Sequence, residues 1–342
     1  MGLLQDVRDE ASRRGFSRST GSAYAGWVRR FVLFHGKTHP REMGTDEVRS
    51  FLVSLAVNQR SSSSTRNQAL SALKFLYRAV LREVPDGLDE LERARRDSVL
   101  PVVLTQGEVA SVLAKVRVSR RLPVMLLYGS GLRLSECLGL RLKDIDLERS
   151  RIHVRSGKGK KDRTTLLPKS ARVLLDEQFV WVRDQHERDL VAGAGFVELP
   201  DSLGQKSPHL AQSLGWQWVF PATRHYTHAP SGERRRHHLH PTVLQREVRR
   251  AVERAGLIKS ATCHTFRHSF ATHLVEDGVD MRTIQTLLGH SDLRTTMIYT
   301  HVASDRFASV RSPADMLPSL STSPSAPSDT ADNDDQGGPQ GI

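Results

Sequence analysis

Cysteine is nearly missing from this chain: Cys137 and Cys263 are the only two in 342 residues. That excludes a disulfide framework and fits a reducing compartment. No run of the ~18 apolar residues needed for a membrane helix occurs, and the opening MGLLQDVRDE lacks the charged-then-apolar plan of a secretory signal. A cytoplasmic protein with no membrane partner is the expectation. The GxxxxGK[ST] loop that cradles nucleotide phosphates is absent, and no acidic triad suited to a pair of Mg²⁺ ions is evident. Basic residues are missing from the last 22 positions, where Asp329, Asp332, Asp334 and Asp335 stand among Ser, Pro and Gly. Such a composition cannot support a core, so 321–342 is read as a disordered tail.

What is present is positive charge. Fifty Lys and Arg against 38 Asp and Glu give a formal charge of +12, and setting aside the tail's four carboxylates raises the remainder to +16. The balance favours a polyanionic partner. The length suits two domains. From Leu3 to about Glu92 apolar residues recur at helical spacing, clearest at Tyr24, Trp27, Val28, Phe31 and Phe34. Thr45 is expected to cap a helix through Val57, and the serines from Ser61 to Ser64 to precede another carrying Leu70, Leu73, Phe75, Leu76 and Val80. Residues 1–92 thus form a helical domain, 93–103 (containing RARRDSVLP) a linker, and 104–320 a second domain. In the second domain helices are expected after Thr105, from about Arg121 to Tyr128, and after the Gly129-Ser130-Gly131 break. Arg151 to Arg155 and Arg163 to Leu167 read as two strands around a Gly and Lys turn. The fold class is mainly α with a small β-sheet.

Chemistry-bearing residues crowd the C-terminal part, in CHTFRHSFATHL, LLGH and TTMIYTH. His264 and Arg267 stand at i and i+3, on one helix face. That helix should end at Gly278, a short one should run from Met281 to Leu288 before Gly289 and His290, and a third, beginning near Asp292, should carry Tyr299. Upstream, Arg133 follows a glycine-rich break and Lys158 sits between two glycines of a turn. Two guanidiniums can clamp the non-bridging oxygens of a phosphodiester under attack. Tyr299 can serve as a covalent nucleophile, Lys158 can protonate a leaving oxygen, and His264 and His290 can position groups or move protons. Fixed cations would then do the work of metal ions. Taken singly, Tyr299 reads as well as a packed tyrosine, Lys158 as an exposed turn lysine, and Arg133 as a partner of Glu136. Cys263, His264, His268 and His273 have spacings that zinc could use. His264 and Arg267 cannot serve a phosphate and a metal at once, so no metal is expected, and Cys263 and His268 are read as packing residues.

In order and spacing, GLRLSE, GKGKKDR, HTFRHSFATHL and LLGHSDLRTTMIYTH closely resemble the active-site boxes of tyrosine recombinases. The resemblance spans roughly Leu3 to Leu317. It implies a helical core-binding domain joined to a catalytic domain, no cofactor, and DNA as partner. It also implies that Arg133, Lys158, His264, Arg267 and His290 surround the phosphate while Tyr299 forms a 3′-phosphotyrosyl link. Because that ester stores the bond energy for religation, no ATP is required. Integrases of the family commonly have proline where Cys263 stands. The stretch from about Asp184 to Gly215, and WQWVFPATRHYTHAPSGERRRHHLH after it, resemble the extra helical segment and following region of integron integrases. This implies exchange of gene cassettes by a tetramer on duplex sites and on single strands folded into hairpins. Their protruding bases would be read by Trp216, His237 and His238, with Pro230 as an apolar wall. Trp216 and Trp218 could equally be core and RRRHH a general phosphate-binding run. The other readings are a Xer-like or phage-type recombinase confined to duplex sites and a non-catalytic architectural DNA-binding protein. Phe307 to Leu317 could pack on a neighbouring subunit or fold back on its own chain.

Overall fold

The structure is a computed structural model that describes residues 2–57, 59–95, 100–155, 162–290, 292, 294–297 and 299. Lys158, the Phe307–Leu317 segment and the tail lie outside the described residues. The chain divides into two compact units, Met1–Val99 and Leu100–Ile342. It is mainly helical with small antiparallel sheets. Among the described residues, no helix is long and apolar enough to cross a membrane.

The first unit contains α1 (Leu3–Arg13), α2 (Arg18–Phe34), α3 (Thr45–Val57) and α4 (Ser63–Phe75), the last continuing as a π-helical turn over Leu76–Leu81. Serine side chains start two of them: Ser17 accepts from the Thr20 amide and Ser62 from the Thr65 amide, satisfying amides that the first turn leaves free. Val28, Phe31, Phe51, Leu55, Leu73 and Tyr77 fill the core. Two sequence expectations shift. Phe34 is exposed at the edge of the core, against Phe51. Thr45 is the first residue of α3 rather than its cap, and its hydroxyl donates to the Asp86 carbonyl. Asn67 bonds both backbone groups of Ala94, anchoring the chain's exit to this unit.

The second unit begins with α5 (Gln106–Lys115), started by a reciprocal Thr105–Glu108 capping box. It continues with α6 (Val118–Gly129) and α7 (Leu134–Leu138). The expected hairpin is β2 (Arg151–Val154) with β3 (Arg163–Leu166), and a short β1 (Ile145–Asp146) pairs with β2 to make three strands. Next come α8 (Arg172–Val191), α9 (Asp201–Lys206) and two 3₁₀ turns, Pro208–Gln212 and Leu214–Trp216. The stretch from about Asp184 to Gly215 begins inside α8 and carries the end of that helix, α9 and the two 3₁₀ turns. A second hairpin of β4 (Pro221–Thr227) and β5 (Arg234–His238) leads to α10 (Pro241–Arg254), α11 (Cys263–Glu276), α12 (Met281–Leu288) and α13 (Arg294–Met297). α11 packs on α6, bringing the glycine-rich break that ends α6 beside His264 and Arg267.

Candidate active site

Glu136, in the first turn of α7, is the hub of the charged cluster. Its carboxylate accepts from Arg133 Nη1 at 2.7 Å and, bidentately, from Arg163 at 2.9 and 2.7 Å, with Arg267 Nη1 3.8 Å away. It also caps its own helix by accepting from the Arg133 amide. Burial alone would raise its pKa. The hydrogen bonds from Arg163 and Arg133 and their positive charge overcome that and bring it down to about 2. The carboxylate is therefore ionised throughout the physiological range, and the cations around it are held in a fixed array.

Arg267 is 1% exposed. It donates to the carbonyls of Gly131 and Leu288 and to His290 Nε2 at 3.0 Å. Burial, and then the repulsion of Arg133, push its pKa down to about 9, so it remains a cation near neutral pH. A guanidinium only donates, so His290 Nε2 is an acceptor. In the neutral ring Nδ1 then donates to Thr296 Oγ1 at 2.9 Å. Two glycines make this close fit possible. Gly131 has φ +60, and a Cβ there would meet Phe270 at 2.4 Å; Gly289 has φ +65, and its Cβ would lie 2.6 Å from Arg163 Cδ. Gly289 also ends α12, so the chain turns and delivers His290.

Tyr299 is 2% exposed, packed with Phe270, Ile284 and Leu288. Its ring stacks on His290 with centroids 6.3 Å apart, and its hydroxyl lies 3.1 Å from His268 Nδ1. Burial raises the phenol's pKa, and the Arg267 and Arg133 charges act against that rise. His264 lies exposed at the rim, edge-on to His268 at 4.4 Å. Loss of solvent about the ring, then Arg267 and Arg133, lower its pKa. Arg133, His264, Arg267, His290 and Tyr299 thus converge, while Lys158 lies outside the described residues. Sequence reasoning missed three members of the network. From the sequence Glu136 reads only as one partner of Arg133, Arg163 only as a strand residue, and His268 as packing. Their signal was faint: Glu136 one turn after Arg133, and His268 one turn after His264.

The four proposed base readers lie elsewhere. Lys143 Nζ sits 2.9 Å over the half-buried Trp216 ring, and the Arg141 guanidinium lies 3.0 Å over Trp218. Exposed His237 and half-buried His238 pack against the other parts of Trp218, with centroids 5.8 and 5.1 Å away and 4.1 Å from each other. Pro230 is exposed in the turn between β4 and β5, whereas the register pairs His238 with Pro221 at the opposite end. The structure does not bring Pro230 to the histidines. Arg236, within the RRRHH run, is buried and bonded bidentately to Asp189 of α8, which takes it out of any surface phosphate site. Among the described residues, no three His, Cys, Asp or Glu side chains gather as a metal would require.

Comparison with known proteins identifies the family. The profile described as phage integrase family matches residues 103–306, and that of the phage integrase N-terminal SAM-like domain matches residues 3–86. The chain belongs to this family, the tyrosine recombinases, and is a site-specific recombinase. It is 47% identical over 320 residues to an integrase/recombinase of Escherichia coli, covering 94% of this chain and 95% of the relative. It is 33% identical over 325 residues to the tyrosine recombinase XerA of Thermococcus kodakarensis, covering 93% and 97%. Among solved structures, XerH bound to a difH substrate before cleavage has a TM-score of 0.59 at 23% identity, covering 88% of this chain and 82% of that one. A lambda integrase dimer on a core site also reaches 0.59, at 16% identity, covering 91% and 97%. At such identities these two show the fold alone.

Proposed function

We propose that this recombinase is an integron-type integrase that binds DNA, cuts it with Tyr299, and exchanges gene cassettes between folded single-stranded and duplex attachment sites. The observation that carries the chemistry is the convergence of Arg133 and Arg267 on Glu136 beside the buried Tyr299 hydroxyl. In this reading residues 1–92 are the core-binding domain, and four copies assemble on two sites. Arg133 and Arg267 compensate the charge that grows on the non-bridging oxygens. The Tyr299 hydroxyl passes its proton to a neighbouring imidazole as its oxygen bonds to phosphorus, the bond from phosphorus to the 5′-oxygen breaks, and Lys158 supplies that oxygen's proton. His264 and His290 hold the phosphate and take part in proton movement.

The finer assignment is supported by the half-buried Trp216, exposed His237 and half-buried His238, whose aromatic and imidazole rings reach the surface and suit unpaired bases; Trp218 is buried beneath Arg141 and the two histidines and supports them. A Xer-like recombinase confined to duplex sites is the second reading, favoured by the likeness to a relative named tyrosine recombinase XerA. The experiment that separates them measures covalent adduct on each strand of a folded cassette site and on a duplex site. We expect adduct on one folded strand, and none with Tyr299→Phe, which should still bind DNA. Adduct on duplex alone would favour the second reading, and adduct in the Phe variant would remove Tyr299 from its role.

A further inference from the structure

Spacing makes His268 a packing residue, yet its Nδ1 lies 3.1 Å from the Tyr299 hydroxyl. The two residues are 31 positions apart and come from different elements. α11 supplies His264, Arg267 and His268, while Tyr299 follows α13. This hydrogen bond therefore ties the hydroxyl to the helix that carries two of the proposed phosphate ligands. Tyr299 is buried, with His290 stacked on its ring and His268 tilted 53° to it at 5.5 Å. The rings fix where the phenol lies, but stacking does not fix where its O–H points. A hydrogen bond does.

We propose that His268 is a positioning residue for Tyr299: its Nδ1 accepts the phenolic O–H, leaving the oxygen's lone pairs directed away from α11's imidazole and free to meet a phosphorus atom. The inference rests on Tyr299 being the nucleophile. An acceptor must carry a free lone pair. Burial, then the neighbouring His264 and Arg267, hold the His268 pKa at about 4, so the ring is uncharged near neutral pH. His264, edge-on to the same ring, packs it from the rim side. Attack needs the reacting oxygen within a narrow range of direction, and a displacement of about 1 Å can cost about a hundredfold in rate.

The test compares three variants of the full chain. His268→Asn keeps a polar atom close to the place of Nδ1, because its amide branches from the same carbon. His268→Gln moves that atom one carbon further, and His268→Leu removes it. Without DNA, the tyrosine Raman doublet reports phenol hydrogen bonding, and subtracting the spectrum of Tyr299→Phe isolates Tyr299. The bonded form is expected in the unaltered protein and in the Asn variant, and its loss in Leu and Gln. On whichever strand of a folded cassette site or duplex gives most adduct, Leu and Gln should bind within about twofold and form adduct about tenfold more slowly or worse, while Asn recovers most of that loss. Thermal melting identifies any variant that fails to fold, and Asn against Gln decides the matter if Leu does. An unchanged doublet in Leu, or Asn falling as far as Gln, overturns the proposal. Adduct in Tyr299→Phe would overturn the nucleophile reading instead, so the two failures are distinguishable.

Discussion

Around Glu136 three guanidiniums share one buried carboxylate, whereas around Trp216 and Trp218 the cations lie over aromatic faces and the His237 ring is open to solvent. Both groups lie in the second unit and both are rich in positive charge. In the first, every charge has a fixed partner of opposite sign, so removing the carboxylate strands buried cations. In the second, Arg141 over Trp218 is buried and bonded to the Trp216 and Glu198 carbonyls, but the rim is softer: Lys143 over Trp216 tolerates displacement, and the exposed His237 imidazole can find a new face to stack on. A fixed array suits compensation of charge at one reacting phosphorus. A soft surface suits recognition of bases that present themselves in varied poses.

The contrast breaks most visibly at Glu136. Glu136→Ala should destabilise the second unit by about 3–5 kcal/mol, since Arg163 and Arg267 lose their compensating charge in the interior. Trp216→Ala, by comparison, gives up the contact with the exposed Lys143 cation, worth about 0.5–1 kcal/mol, a longer one with Arg141, and some packing of a half-buried ring. Urea unfolding of both variants measures the difference. Equal losses would mean that Glu136 is no more anchored than the aromatic surface. The pH dependence sharpens the point. The carboxyl's ordinary pKa is 4.5, and in the fold it lies near 2. Its contribution is therefore fully present above about pH 4.5 and is lost as the pH falls toward 2. The gap between the unaltered protein and Glu136→Ala should stay constant down to that point and then close.

The softer surface calls for a test of selectivity. Replacing His237 and His238 together by Ala should weaken binding to a folded single-stranded site by about 1–3 kcal/mol for each base that they stack. Duplex binding should change little, because it rests on phosphate contacts made elsewhere. Gel-shift affinities on the two substrates decide it. An equal loss on both would make the histidines supports for Trp218, which they touch.

Much of the fixed array was legible because its parts are set locally. Thr105 and Glu108 start a helix within four residues, Asp280 caps α12 through the amides of Arg282 and Thr283, and Gly289 stops it. Helical spacing then puts His264 and Arg267 on one face whatever surrounds them. Glu136's bond to Arg163 and His268's bond to Tyr299 join residues 27 and 31 apart, and no periodicity encodes such a meeting. The soft surface was harder to read because its burial runs against its hydropathy. α8 buries His186 and Asp189 while exposing Val173, Val180, Trp181 and Val191, so the apolar pattern misplaces its face. β5 is RRRHH, without apolar alternation, and is held by Arg236 reaching Asp189. Sequence spacing cannot show which arginine of three turns inward.

The smallest effect is expected from removing 321–342. This segment has four carboxylates and no Lys or Arg, so its deletion raises the net charge from +12 to +16 and alters no residue of either cluster. Added positive charge strengthens attraction to phosphates. At physiological salt the screening length is about 8 Å, however, and charges in a segment that holds no cation of its own act only where they approach the bound DNA that closely. Affinity should rise by about twofold or less at low salt, and the rise should fade as salt is added, while recombination frequency stays nearly constant. A salt titration of binding with and without the tail measures both. A large drop in assembly on DNA would instead give the segment a partner surface of its own. In that case attraction between its carboxylates and a basic neighbour, rather than repulsion from phosphate, would be the dominant interaction.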